Sequence, residues 1–160
     1  MRDDAVKQPL LSTELLSGSA TAKRALAILV EKAAGFVIPT AAQRKNLVVA
    51  FAKNDMIIYG KAFDCVRLNG EVSLDAVENI EANLNRITII EIKSTRKELP
   101  ADFGGHFFSL SSAEMLVAQS LRHRFKFAFV NINTGSHLEL SIGEIFARAR
   151  SIYPGWSISF

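Results

Sequence analysis

The segment Ile87-Thr88-Ile89-Ile90-Glu91-Ile92-Lys93 constrains the fold more than any other stretch of the chain. β-Branched side chains lose rotamer freedom in a helix but pack well on a pleated surface, and the run shows no apolar–polar alternation before Glu91. A strand of this kind must be covered on both faces, which predicts a central strand in a sheet flanked by helices. The chain has 160 residues, 49% hydrophobic and 22% charged, enough for one core and too few for two well-filled ones. The expected class is α/β with a mixed central sheet. Residues 19–160 form the single domain, and residues 1–18, where Pro9, Ser12, Ser17 and Gly18 mix with charges, form a loosely ordered lead-in.

The flanking elements follow from spacing. Ala22, Ala25, Leu26, Leu29, Val30 and Ala33 recur with helical period before Gly35, a residue suited to ending a helix in the left-handed region. Phe36 to Ile38 is a short extended candidate. Thr40 and Gln43, and again Ser111 and Glu114, have the three-residue offset of a capping box and open helices. The continuation Leu47 to Phe51 is compatible with helix or with a buried strand leading to Met56–Tyr59, because short apolar runs do not separate the two. Ala62–Leu68 reads as a strand closed by Asn69-Gly70, and Leu74, Val77, Ile80 and Leu84 form a narrow apolar stripe on an acidic amphipathic helix. Phe125–Ile132 and Leu138–Ile142 are further strands around the turn Asn133–Ser136. Residues 143–152 suggest a terminal helix and Trp156–Phe160 a last strand.

Composition excludes several classes. The one cysteine, Cys65, has no partner for an intrachain disulfide, and His106, His123 and His137 are too scattered for a zinc site. The opening residues are charged where a signal peptide is apolar, and no apolar run approaches the ~18 residues of a membrane span. These readings lead to a cytoplasmic protein without membrane association. The formal charge of +3 permits nucleic-acid binding without requiring it.

Chemistry concentrates where Glu91 and Lys93 interrupt the apolar strand. Residues two apart share a strand face, about 6.6 Å along it, so the two heads meet at one spot. They form either a structural ion pair or part of a site for a divalent cation. Asp64, mid-strand in the preceding segment, becomes the second carboxylate if the two strands pair. A cation so held polarises a phosphoryl oxygen and lowers the pKa of a bound water, while the lysine orients the nucleophile and neutralises developing charge, parts that suit phosphodiester hydrolysis.

The strings Phe63-Asp64-Cys65-Val66 and Ile89-Ile90-Glu91-Ile92-Lys93-Ser94-Thr95 resemble the motif of the PD-(D/E)xK, or restriction-endonuclease-like, nucleases. Phe107–Glu114 followed by Phe127-Ala128-Phe129-Val130 is similar to the C-terminal nuclease-like domain of NO VEIN proteins and to Mrr-like domains. The resemblance covers about half the chain, from Asp64 to Val130. It implies a restriction-endonuclease-like mixed sheet flanked by helices and a Mg²⁺ cofactor, with Mn²⁺ as substitute. Asp64, Glu91 and the Ile92 carbonyl would be metal ligands, and Asp64, Glu91 and Lys93 the catalytic set. Glu31 on the first helix and Gln119 are candidate accessory residues. Asp64 follows Phe63 rather than Pro, and an acidic insertion separates it from Glu91, so Asp55, Asp75 or Glu78 are alternative second acids.

Between Leu84 and Lys126 there are seven Lys and Arg against four Asp and Glu, whereas residues 71–82 hold four acids and no base. Arg96, Lys97, Arg122 and Arg124 are the candidate phosphate contacts, with solvated surface charge as the plainer reading. The expectation is a metal-dependent DNA endonuclease of restriction, defence or repair, acting as a homodimer in the manner of many members of that fold. Nothing in the sequence separates DNA from RNA. The alternative is a catalytically inactive nuclease-fold module that binds nucleic acid or regulates a larger complex.

Overall fold

The computed structural model describes residues 10–153, with side chains from Ala20 onward. Helix α1 spans Leu10–Lys32 and β1 Phe36–Val37; α2 spans Ala41–Ala52 and β2 Cys65–Leu68. Helix α3 covers Val77–Ala82, and a 3-10 turn over Leu84–Arg86 leads into β3, Ile87–Thr95. Helix α4, Ser112–Leu121, precedes a second 3-10 turn, Arg122–Arg124, and β4, Phe125–Asn131. Strand β5, His137–Leu140, and α5, Ile142–Arg148, complete the order.

Among the described residues, five strands form one sheet in the order β1-β2-β3-β4-β5, with β3 and β4 parallel and every other adjacent pair antiparallel. The class is mixed α/β, as the apolar run predicts, and that run is the central strand. Its two faces divide the core. Ile87 and Ile89 pack with Val66, Phe125 and Phe127 beneath α2, α4 and α5, whereas Ile90 and Ile92 pack with Cys65, Ala128 and Val130 beneath Ala25 and Leu29 of α1. Among the described residues, helix α1 thus stands alone on its side of the sheet. The sheet is strongly curled. Arg67 on β2 and Glu139 on β5 pair at 2.7 Å although β3 and β4 lie between them, where flat strands would stand about 14 Å apart.

Several boundaries differ from the sequence reading. Helix α1 begins at Leu10, so part of the expected lead-in is helical; residues 1–9 and the expected strand Trp156–Phe160 lie outside the described residues. Leu47–Phe51 is helix, because the capping box at Thr40 and Gln43 starts α2 and carries it to Ala52. Met56–Tyr59 forms no strand, and the acidic amphipathic helix shrinks to six residues. Gly35 ends the turn after α1 at φ +86°, and the Leu68 carbonyl oxygen fills the space a Cβ would need, so only glycine lets β1 lie against β2 there. Among the described residues, no helix is long and apolar enough to cross a membrane.

Candidate carboxylate–lysine site

Glu91 and Lys93 lie on β3 on the face covered by α2 and α4, in the half of the strand that follows its apolar run and continues to Thr95. Strand β2 runs antiparallel beside them, with Cys65 in register with Ile90. The Asp64 N–H also donates to the Ile90 carbonyl at 2.9 Å. Two successive residues of one strand therefore address one residue of the other, a bulge-like irregularity that swings Asp64 out of the regular ladder. Its carboxylate turns along β3, and Oδ2 accepts the Ile92 N–H at 2.8 Å. Because the N–H and C=O of one strand residue leave on the same edge, the Ile92 carbonyl is directed to this side as well.

A residue outside the expected set holds Asp64 in place. Arg44, on the first turn of α2, donates to the carbonyls of Gly60 at 3.1 Å, Phe63 at 2.8 Å and Asp64 at 2.6 Å. Its guanidinium lies 4.4 Å from the centroid of the Phe63 ring. One planar fork thus gathers three carbonyls of the segment that delivers Asp64. Arg44→Met is expected to cost about 1–3 kcal/mol of stability, since those carbonyls lose their partner. Arg44→Lys should recover less than half, because a point charge cannot address three acceptors. Urea unfolding followed by circular dichroism measures both, and an unchanged midpoint in Arg44→Met contradicts the assignment.

The second addition is Glu114. Lys93 Nζ lies 3.3 Å from Glu91 Oε1 and 2.8 Å from Glu114 Oε2, and all three side chains are only 13–15% exposed. Glu114 Oε2 also accepts the Ser111 N–H at 3.0 Å, so the carboxylate that closes the capping box of α4 is also the ligand of the lysine. The sequence signal for Glu114 was the capping box itself, which explains the residue fully as a helix start and hides its second partner.

The electrostatics are uneven. Burial pushes the Glu91 carboxyl up to about 8, with the Asp64 charge adding to the effect, Lys93 opposing it, and a hydrogen bond to Glu114 raising it further. Burial acts upward on Glu114 as well, but the hydrogen bond and charge of Lys93 and the Ser111 N–H outweigh it and hold that carboxyl below its ordinary value. One lysine is shared by more negative charge than it neutralises, and Glu91 carries the deficit. The Cys65 thiol next to Asp64 is buried and pushed up to about 12, which makes it inert packing.

The other expected residues are dispersed. Glu31 is exposed on α1, and the sheet stands between it and Glu91. Gln119 is exposed on α4, off the face that carries Val117, Ala118 and Leu121 inward. Arg96 and Lys97 follow the C-terminal end of β3, whereas Arg122 and Arg124 precede β4. The parallel register pairs Ile89 with Phe125 and Thr95 with Asn131, which puts the two basic pairs at opposite ends of the sheet, roughly 25 Å apart along the strands. Of the alternative acids, Asp75 is taken by Gln43 and Ser73, while Asp55 and Glu78 are exposed about α2 and α3.

The donor set suits a hard divalent cation. Two carboxylates and a main-chain carbonyl, with the rest of the shell left to water or a phosphate oxygen, is the habit of Mg²⁺. Among the described residues no group of three or more His, Cys, Asp or Glu side chains is arranged to hold a metal, so such an ion depends on non-side-chain oxygens. No family model, no curated protein and no solved structure matches the chain.

Proposed function

We propose that the chain is a Mg²⁺-dependent nuclease of the PD-(D/E)xK type, hydrolysing phosphodiester bonds of DNA at the site of Asp64, Glu91 and Lys93. The observation that carries this reading is the Asp64 carboxylate seated on the Ile92 N–H, beside a glutamate whose charge is left under-compensated. Asp64, Glu91 and the Ile92 carbonyl would hold the cation. When bound, it supplies Lewis-acid polarisation of the phosphate and a water made acidic enough to attack. The protein's own groups do the rest. Arg44 fixes the Asp64 backbone, Glu114 holds Lys93 in place beside Glu91, and Lys93 orients the attacking water and neutralises charge developing on the phosphate.

A second reading, a nuclease-fold module that binds nucleic acid without cutting it, is favoured by one observation. Lys93 already satisfies two carboxylates and could serve as their structural counter-ion. Nicking of supercoiled plasmid separates the two. The wild-type chain with Mg²⁺ or Mn²⁺ is expected to produce open circles, and Asp64→Asn none. A folded wild-type protein that binds DNA yet leaves plasmid and single-stranded circles intact with either metal would leave the binding module standing.

A further inference from the structure

Resting on the reading of the carboxylate–lysine site as one for nucleic acid, we infer that Phe107 is a stacking platform for an unpaired base, so that the site takes single-stranded or locally unpaired DNA. The loop of residues 96–111 begins and ends at the site. It leaves β3 at Thr95, two residues beyond Lys93, and returns at Ser111, whose N–H is held by the same Glu114 oxygen that binds Lys93.

The loop is pinned along its length. Asn133 Nδ2 donates to the Arg96 carbonyl at 2.7 Å and Asn131 Nδ2 to the Lys97 carbonyl at 2.9 Å. Further on, the Phe103 ring lies 6.1 Å and the Phe108 ring 4.8 Å from the ring of Phe129, which is the register partner of Lys93 on β4. The His106 ring stacks on Phe108 at 5.6 Å and meets Phe129 edge-on at 5.9 Å. Both His106 ring nitrogens are buried without a hydrogen-bond partner, and burial together with the Lys97 charge lowers its pKa, so the ring is neutral and acts as a packing group.

Between these two anchored rings Phe107 is 74% exposed. A loop anchored on both sides of an outward-facing aromatic fixes the backbone that presents the ring, so the main-chain part of the ordering cost of binding is already met. The charges beside it suit a phosphate backbone. Lys97 is close enough to act on His106 and Arg96 is exposed next to it, while of the loop's two acids Asp102 is engaged by the Gly104 N–H and by Arg148 and Glu98 is exposed beside Lys97. Stacking on aromatic rings with adjacent cations is how single strands are bound without base reading, whereas a paired base offers no free face to a ring at a groove edge.

Fluorescence anisotropy with a labelled 12-nucleotide single strand and its duplex, in metal-free buffer at low salt, tests the inference on the full chain. Phe107→Ala is expected to weaken single-strand binding roughly 5- to 150-fold, the range of one lost base stack, and to leave duplex binding unchanged. Phe107→Trp should retain single-strand affinity and show indole quenching on binding in excess of any change from Trp156 in the wild type. Equal single-strand affinity in Phe107→Ala and wild type overturns the inference while leaving the nuclease reading intact, and so does an equal loss on both probes. A wild type that binds neither probe overturns the inference, and the nicking assay with Mg²⁺ or Mn²⁺ then decides the nuclease reading separately.

Discussion

Replacing Glu91 with Gln is expected to raise the stability of the metal-free protein while abolishing metal-dependent cleavage. The Glu91 carboxyl titrates at about 8 in the folded chain against an ordinary 4.5. Between those values the folded state keeps a proton that the unfolded chain has released, so the stability tied to this group is complete below 4.5 and is lost as pH rises through 8. Glutamine removes the charge and keeps the shape. The gain should be negligible at pH 5 and about 1–3 kcal/mol at pH 9, in the range found when poorly compensated buried charges are neutralised. For a chain of this size that is roughly 3–10 °C in Tm. Cleavage should fall by about 10³-fold or more, as for loss of a group that stabilises developing charge. A Glu91→Gln protein no more stable than wild type at pH 9 contradicts the electrostatic account, and one with full cleavage removes Glu91 from the chemistry.

Lys93 has the opposite signature. It is the one cation within reach of Glu91 and Glu114 among the described ion pairs, and the three side chains are nearly out of water. Lys93→Met leaves two carboxylates facing each other in a poor solvent for charge. The expected cost is about 3 kcal/mol or more at pH 8, typical of removing one partner from a buried pair. It should shrink toward pH 5, where Glu91 holds its proton in either protein. Adding Glu91→Gln should recover more than the same substitution gains in the wild-type background, since without Lys93 nothing offsets the repulsion between the two carboxylates, and that excess is the coupling energy of a double-mutant cycle. Urea denaturation of the four proteins at both pH values gives the cycle. Additive single and double substitutions would show that the groups do not interact.

The central elements were legible because their signals are local and strong. The run from Ile87 to Ile92 has no solution other than a strand covered on both faces, and the capping boxes at Thr40 and Ser111 mark two helix starts that the structure reproduces. The pairing of β2 with β3 follows from their proximity in sequence, and it brings Asp64 to Ile92. What stayed hidden is long-range. Arg44 lies 20 residues from Asp64 in a segment compatible with strand or helix, and an arginine there carries no local mark of three carbonyl partners. Glu114 was fully accounted for as a cap, so nothing called for a second role. Sequence distance groups the basic residues, but the parallel crossover from β3 to β4 separates Arg96 and Lys97 from Arg122 and Arg124 by the length of the sheet. Glu31 enters only through the resemblance, which expects an acid on the first helix, whereas α1 packs on the opposite face of the sheet.

Calorimetric titration of Mn²⁺ into the wild-type chain and into Asp64→Asn at pH 8 tests the shared cation most directly. The account predicts saturable binding to wild type accompanied by proton release, since Glu91 must give up its proton to become a ligand, and no saturable binding to Asp64→Asn at the same concentrations. Equal heats and affinities in the two proteins, or none in a folded wild type, would contradict it.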